Sequence, residues 1–158
     1  MSPRLALPRE VQASFLLWLT AVAAGVVETI IRVIYSLSWG YGGGEADVTG
    51  VVFRVIVYTV VIYIIAQMRL GKRWARTTLA VLLGGIGTLS LVIDPILWLA
   101  GGNALREVVA QANLLFYMVA PIRAVHLAAV IAALVFMFLP AANTYFRAAQ
   151  SGTRWTLG

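Results

Sequence analysis

The sequence has no cysteine and a single histidine, His126, which excludes a disulfide framework, a thiolate metal site and bis-histidine haem ligation. Acidic residues are also scarce: 6 Asp and Glu stand against 12 Lys and Arg, and charged residues make up only 11% of the 158. Apolar residues fill the gap. Their share is 61% and the mean hydropathy is +0.91, whereas a soluble domain is about 45–50% apolar. A net charge of +6 and a pI near 10.3 would suggest nucleic acid if the bases decorated a soluble domain. Here their distribution reads as membrane topology, and no nucleic-acid partner is expected.

Four apolar runs, at 11–37, 48–68, 77–100 and 114–139, are each long enough to cross about 30 Å of hydrocarbon at about 1.5 Å per residue. The expected fold is therefore an all-α membrane protein, a four-helix transmembrane bundle forming one domain over residues 1–158. Arg4 and Arg9 ahead of the first run, with Ala21-Val22-Ala23 inside it, imitate a signal peptide, but the apolar run continues well past Ala23. Arg4, Arg9, Arg69, Lys72, Arg73, Arg76, Arg147 and Arg154 all fall in the N-terminal tail, the second loop or the C-terminal tail. Four spans put those segments on one side, and the bias makes that side cytoplasmic. The first and third loops carry Glu45, Asp47 and Glu107 against Arg106 alone. Both termini are thus expected in the cytoplasm and the chain in the plasma membrane.

Punctuation agrees with these bounds. The turn Trp39-Gly40-Tyr41-Gly42-Gly43-Gly44 follows the first span, and Gly101-Gly102-Asn103 ends the third. Trp39, Tyr41 and Trp98 suit an outer aromatic belt, and Trp18, Trp74 and Trp155 an inner one. Pro140 closes the fourth span, after which residues 141–150 have the pattern of a short amphipathic helix with Tyr145, Phe146 and Ala149 on its apolar side.

Six ionisable residues lie inside the apolar runs: Glu28 and Arg32 in the first, Arg54 in the second, Asp94 in the third, Arg123 and His126 in the fourth. Such groups are costly in lipid and face protein or water. Counted from the cytoplasmic ends they fall about 20 to 30 Å across, so four helices deliver charge to one layer. Ala21, Gly25, Glu28 and Arg32 share one helical face; Gly84, Gly87, Leu91 and Asp94 share another; Arg123, His126, Ala129 and Ala133 approximate a third. The small residues on these faces suit close helix contact. Pro95 and Pro121 free carbonyls at Leu91 and Tyr117, which could accept from Arg54 or Arg123. Two readings stay open. In the structural one, Glu28 pairs with Arg32, Asp94 pairs with Arg54 or Arg123, and His126 is a core histidine. In the functional one, three arginines against two carboxylates leave a surplus cation, expected at Arg123, for a lipid phosphate, a carboxylate or an acidic partner residue.

Catalytic constellations are hard to assemble from one histidine and one intramembrane aspartate, and no enzyme activity, catalytic residue, metal or cofactor is expected. The basic run Arg69, Lys72, Arg73 and Arg76 fixes topology and could contact anionic headgroups.

The segment Met68-Arg69-Leu70-Gly71-Lys72-Arg73-Trp74-Ala75-Arg76, leading into an apolar span, resembles a pattern of small four-span actinobacterial, mycobacterial-type membrane proteins, as does Pro8-Arg9-Glu10-Val11 through Ser14-Phe15-Leu16-Leu17-Trp18-Leu19. Together these cover about a third of the chain, and neither motif defines a reaction. The resemblance implies a plasma-membrane subunit that accompanies larger machines for envelope lipids, such as Mce-type importers. The expectation is a noncatalytic accessory or regulatory subunit with membrane lipids and a larger membrane complex, or a homo-oligomer, as partners. The alternative is a self-contained lipid-binding or small-solute transport bundle.

Overall fold

A computed structural model describes residues 7–38, 48–102 and 113–154, with the side chains of Ser90, Asp94 and residues 151–154 left outside that description. The described residues are all-helical, with no strand. The elements are α1 (Arg9–Ser38), α2 (Val48–Arg69), α3 (Arg73–Leu79), a π-helical stretch (Ala80–Gly87), α4 (Thr88–Ala100), α5 (Leu114–Phe138) and α6 (Pro140–Arg154). Four helices are long and apolar enough to span a membrane: α1, α2, the third over Arg73–Ile93, and α5. The aromatic turn at 39–44, the loop acids Glu45, Asp47 and Glu107, Arg106, Arg4 and Trp155 lie outside the described residues.

Each packed helix carries its buried residues on one face, and that face changes character along its length. On α1, Val11, Ser14, Trp18 and Ala21 are buried, and the same 3- and 4-residue spacing continues to Gly25, Glu28 and Arg32. On α2, Val61, Ile65 and Met68 are buried, and the row runs back to Tyr58 and Arg54. On α5, Ala129, Ala133 and Met137 are buried, and His126 and Arg123 precede them. The apolar half of each row meets at the end of the bundle that carries Arg69, Lys72, Arg73 and Arg76, where Trp18, Ile65, Met68, Leu79, Met137 and Phe146 form the core. The polar halves meet farther along.

Helices α1 and α5 run antiparallel in close register. Ser14 donates to the Ala133 carbonyl at 2.9 Å, His126 meets the Ala21 carbonyl at 2.8 Å, and Arg123 meets Glu28 at 2.9 Å. The small residues Ala21, Ala129 and Ala133, all buried, let the two backbones approach.

The third span differs from the plain helix expected at 77–100. Its centre widens into a π-helical stretch, in which the Thr88 hydroxyl donates to the Leu83 carbonyl five residues earlier at 3.2 Å. Glycine permits this locally, because a Cβ at Gly87 would stand 3.2 Å from the Leu82 carbonyl oxygen. Gly84 does what its small-residue pattern implied: a Cβ there would sit 2.8 Å from the Leu134 side chain of α5. Pro95 and Pro121 lie inside α4 and α5 without ending either helix.

Helix α6 straps the basic end. Leu139 is extended (ψ 153) and stops α5, and Pro140 opens α6, where its missing N–H costs nothing. Ala142 and Phe146 enter the core, and the Tyr145 hydroxyl donates to the Arg69 carbonyl at the end of α2 at 2.9 Å. Burial pushes the Tyr145 phenol up from its ordinary value, against the lowering pull of Arg69, so it remains a donor at neutral pH. Gly71, at φ 82, makes the turn between α2 and α3, and a Cβ there would lie 2.6 Å from that of Ala149.

Candidate functional site: a polar chamber between the spans

A chamber of about 370 Å³ lies where the polar halves of the helical rows converge, lined by Gly25, Glu28, Thr29 and Arg32 of α1, Arg54 and Tyr58 of α2, Gly87 and Leu91 of the third span, and Arg123 and His126 of α5. Five of the six ionisable residues singled out in the sequence therefore share one space. The sixth, Asp94, has its side chain outside the described residues, and so do its expected pairings.

Glu28 is the hub. Its Oε1 accepts from Arg32 Nε at 2.9 Å, one helical turn away, and from Arg123 Nε at 2.9 Å, with Arg123 Nη2 also at 2.9 Å. The side chains of Glu28 and Arg32 are 17% and 19% exposed, whereas that of Arg123 is 42% exposed, so Arg123 is the member of the triad that meets the open space. Arg123, expected as the surplus cation, is brought by the α1–α5 register to Glu28, which it shares with Arg32. The carbonyls of Leu91 and Tyr117, offered as acceptors by Pro95 and Pro121, take neither Arg54 nor Arg123.

Among the described residues of the chamber, the arginine without a bonded partner is Arg54. It lines the chamber and has no hydrogen bond or ion pair to any described residue. Even with Asp94 counted as an anion, Arg32, Arg54 and Arg123 outnumber Glu28 and Asp94 by one.

The remaining polar groups are fixed by what their partners can do. The Ala21 carbonyl can only accept, so His126 carries its proton on Nδ1 and leaves Nε2 as its second polar atom. Thr29 Oγ1 donates its one proton to the Gly25 carbonyl at 2.9 Å, so at the 2.9 Å contact with Tyr58 the phenol is the donor. Tyr58 approaches this closely because α1 has glycine at 25, where a Cβ would stand 3.2 Å from the phenol oxygen. The sequence reading missed Thr29 and Tyr58. The signal was available: Tyr58 lies one turn from Arg54, and Thr29 follows Glu28.

The basic run at the other end is partly engaged by protein. Arg76 donates to Asn143 Oδ1 at 2.6 Å and lies over the rings of Phe138 at 4.1 Å and Phe146 at 5.0 Å. Arg73 donates to Gln150 at 2.9 Å, and Arg69 lies 4.8 Å from the Phe15 ring. Lys72 is exposed, which leaves it the freest of the four for a headgroup. Among the described residues, no three His, Cys, Asp or Glu side chains gather as a metal site.

Set against protein-family models, curated proteins and solved structures, the chain finds no match in any of the three.

Proposed function

We propose that the protein is a noncatalytic, multi-pass membrane subunit that binds an anionic ligand in the chamber between its helices and serves a larger assembly handling membrane lipids. One observation carries this reading: Arg54, a permanently charged side chain within a span, faces a chamber of about 370 Å³ and, among the described residues, has no carboxylate bonded to it. An arginine so placed is costly unless an anion compensates it. The Tyr58 and His126 side chains add polar atoms on the same space, and a phosphate or carboxylate matches the donor fork of a guanidinium. In the orientation we infer, the eight basic residues of the tails and second loop face the cytoplasm, with both termini inside and the chamber nearer the outer leaflet. The wider lipid-handling role accords with the resemblance to actinobacterial envelope subunits.

The test is native mass spectrometry of protein purified in mild detergent, comparing wild type with Arg54→Gln while thermal stability and co-purifying proteins are followed. Wild type is expected to carry one anionic ligand per chain, and Arg54→Gln to remain cooperatively folded without it. Retention of the same ligand by a stable Arg54→Gln would overturn the reading.

A further inference from the structure

A second cavity adjoins the chamber. It is a cleft of about 450 Å³ between α4 and α5, and among the described residues its walls are apolar apart from Asn113 at one end and two arginines toward the other, with Leu91, Val92, Pro95, Phe116 and Val119 among the apolar ones. Three residues line both spaces: Arg32, Leu91 and Arg123. The guanidinium groups of Arg32 and Arg123 are drawn to Glu28 in the chamber, and the methylene stems of such side chains commonly pack along apolar surface. The two cavities thus meet at a boundary where polarity changes abruptly. A ligand filling both must have the same division.

We infer that the ligand is a single-chain anionic amphiphile whose acid group sits at Arg54 and whose hydrocarbon chain lies in the α4–α5 cleft, pointing along α5 toward Asn113. This rests on the anion reading of the chamber. A cleft of about 450 Å³ has room for a hydrocarbon chain, whose methylenes are each close in size to a water molecule, about 30 Å³. The length agrees, since α5 advances about 15 Å between Asn113 and Arg123 at 1.5 Å per residue. The direction follows from where the two spaces join: the lining of α5 runs from Asn113 to Leu127, and Arg123, which it shares with the chamber, lies toward the Leu127 end. A lipid packed on the outside of the bundle would lie the other way, with its headgroup at the helix ends and its chain running inward. The chemistry shared by a long-chain fatty acid and a lysophospholipid, one acid group on one chain, satisfies the two cavities.

The experiment uses the full-length protein in phosphatidylcholine nanodiscs, which supply no competing anionic lipid, and a palmitate analogue with a diazirine near its terminal methyl. After irradiation, the labelled residues are mapped by peptide mass spectrometry. Saturable labelling of Leu115, Phe116 or Val119, abolished by Arg54→Gln and reduced at least tenfold by Ala120→Phe and by Ala124→Phe, is expected. Two cleft-filling variants are used so that a folding defect in one does not decide the result. Displacement by excess palmitate would assign a free carboxylate, and displacement by lysophosphatidic acid a phosphate headgroup; displacement by neither overturns the proposal. Saturable, Arg54-dependent retention with the label outside the cleft would overturn the chain placement while leaving the anion site intact. Absence of any saturable, Arg54-dependent retention would overturn both.

Discussion

Arg123 of α5 places Nε and Nη2 each 2.9 Å from the same carboxylate oxygen of Glu28 on α1, an oxygen that also accepts from Arg32 at 2.9 Å. One anion thereby holds two cations from two helices, and it does so where the charge lies between membrane-spanning segments and is screened little by water. Glu28→Gln is therefore expected to destabilise the bundle by about 3 kcal/mol, the low end for a broken buried pair because Arg123 remains partly open to the chamber. Thermal unfolding in detergent measures it. An unchanged transition temperature would show that the triad does not hold α1 to α5.

The same geometry separates the roles of two arginines inside the apolar runs. Arg123→Gln should lower stability by about 1.5 to 3 kcal/mol, as loss of a hydrogen bond to a charged group does, whereas Arg54→Gln should leave it unchanged. A double-mutant cycle between Glu28 and Arg123 should give a coupling of about 0.5 to 3 kcal/mol, and one between Glu28 and Arg54 a coupling much smaller than that. Equal couplings would contradict the pairing.

Gly71 is constrained twice, by its positive φ and by Ala149 across the turn. Gly71→Ala should cost about 1 to 2 kcal/mol for the left-handed backbone alone, and the contact with α6 adds to this. The readout is limited trypsin cleavage at Arg147, which should become faster as α6 loosens. Cleavage at the wild-type rate would show that α6 does not depend on this turn.

Tyr145→Phe removes the hydroxyl bound to the Arg69 carbonyl and should cost about 1 kcal/mol at neutral pH. The folded-state phenol is raised above its ordinary value of 10.0, so the hydrogen bond contributes below that pH and is lost as the pH rises through the folded value. The stability difference between wild type and Tyr145→Phe should accordingly close in strong alkali. A difference constant from pH 8 to 11 would refute the role of the proton.

The orientation can be read in intact cells. With the first loop outside and the second inside, a membrane-impermeant thiol reagent should label Gly43→Cys and leave Lys72→Cys untouched. The native chain has no cysteine to interfere. Labelling in the reverse order would invert the topology.

The sequence by itself determined that four helices are long and apolar enough to cross a membrane, because a hydrocarbon slab demands long apolar runs whatever their packing. It also determined the local features that depend only on neighbours along the chain: the Glu28–Arg32 contact at one turn's spacing, the break at Pro140 and the amphipathic helix after it. Tertiary structure decided which cation of another helix meets Glu28. Helical periodicity places Arg54 and Arg123 on inward faces, but only the register of α1 against α5, set by Ser14 on Ala133 and His126 on Ala21, brings Arg123 to Glu28 and leaves Arg54 to the chamber. The π-helical widening was equally hidden, since Gly84 and Gly87 look alike in sequence. One faces Leu134 of a neighbouring helix and the other a carbonyl of its own, a distinction made by the direction in which each glycine lacks a side chain.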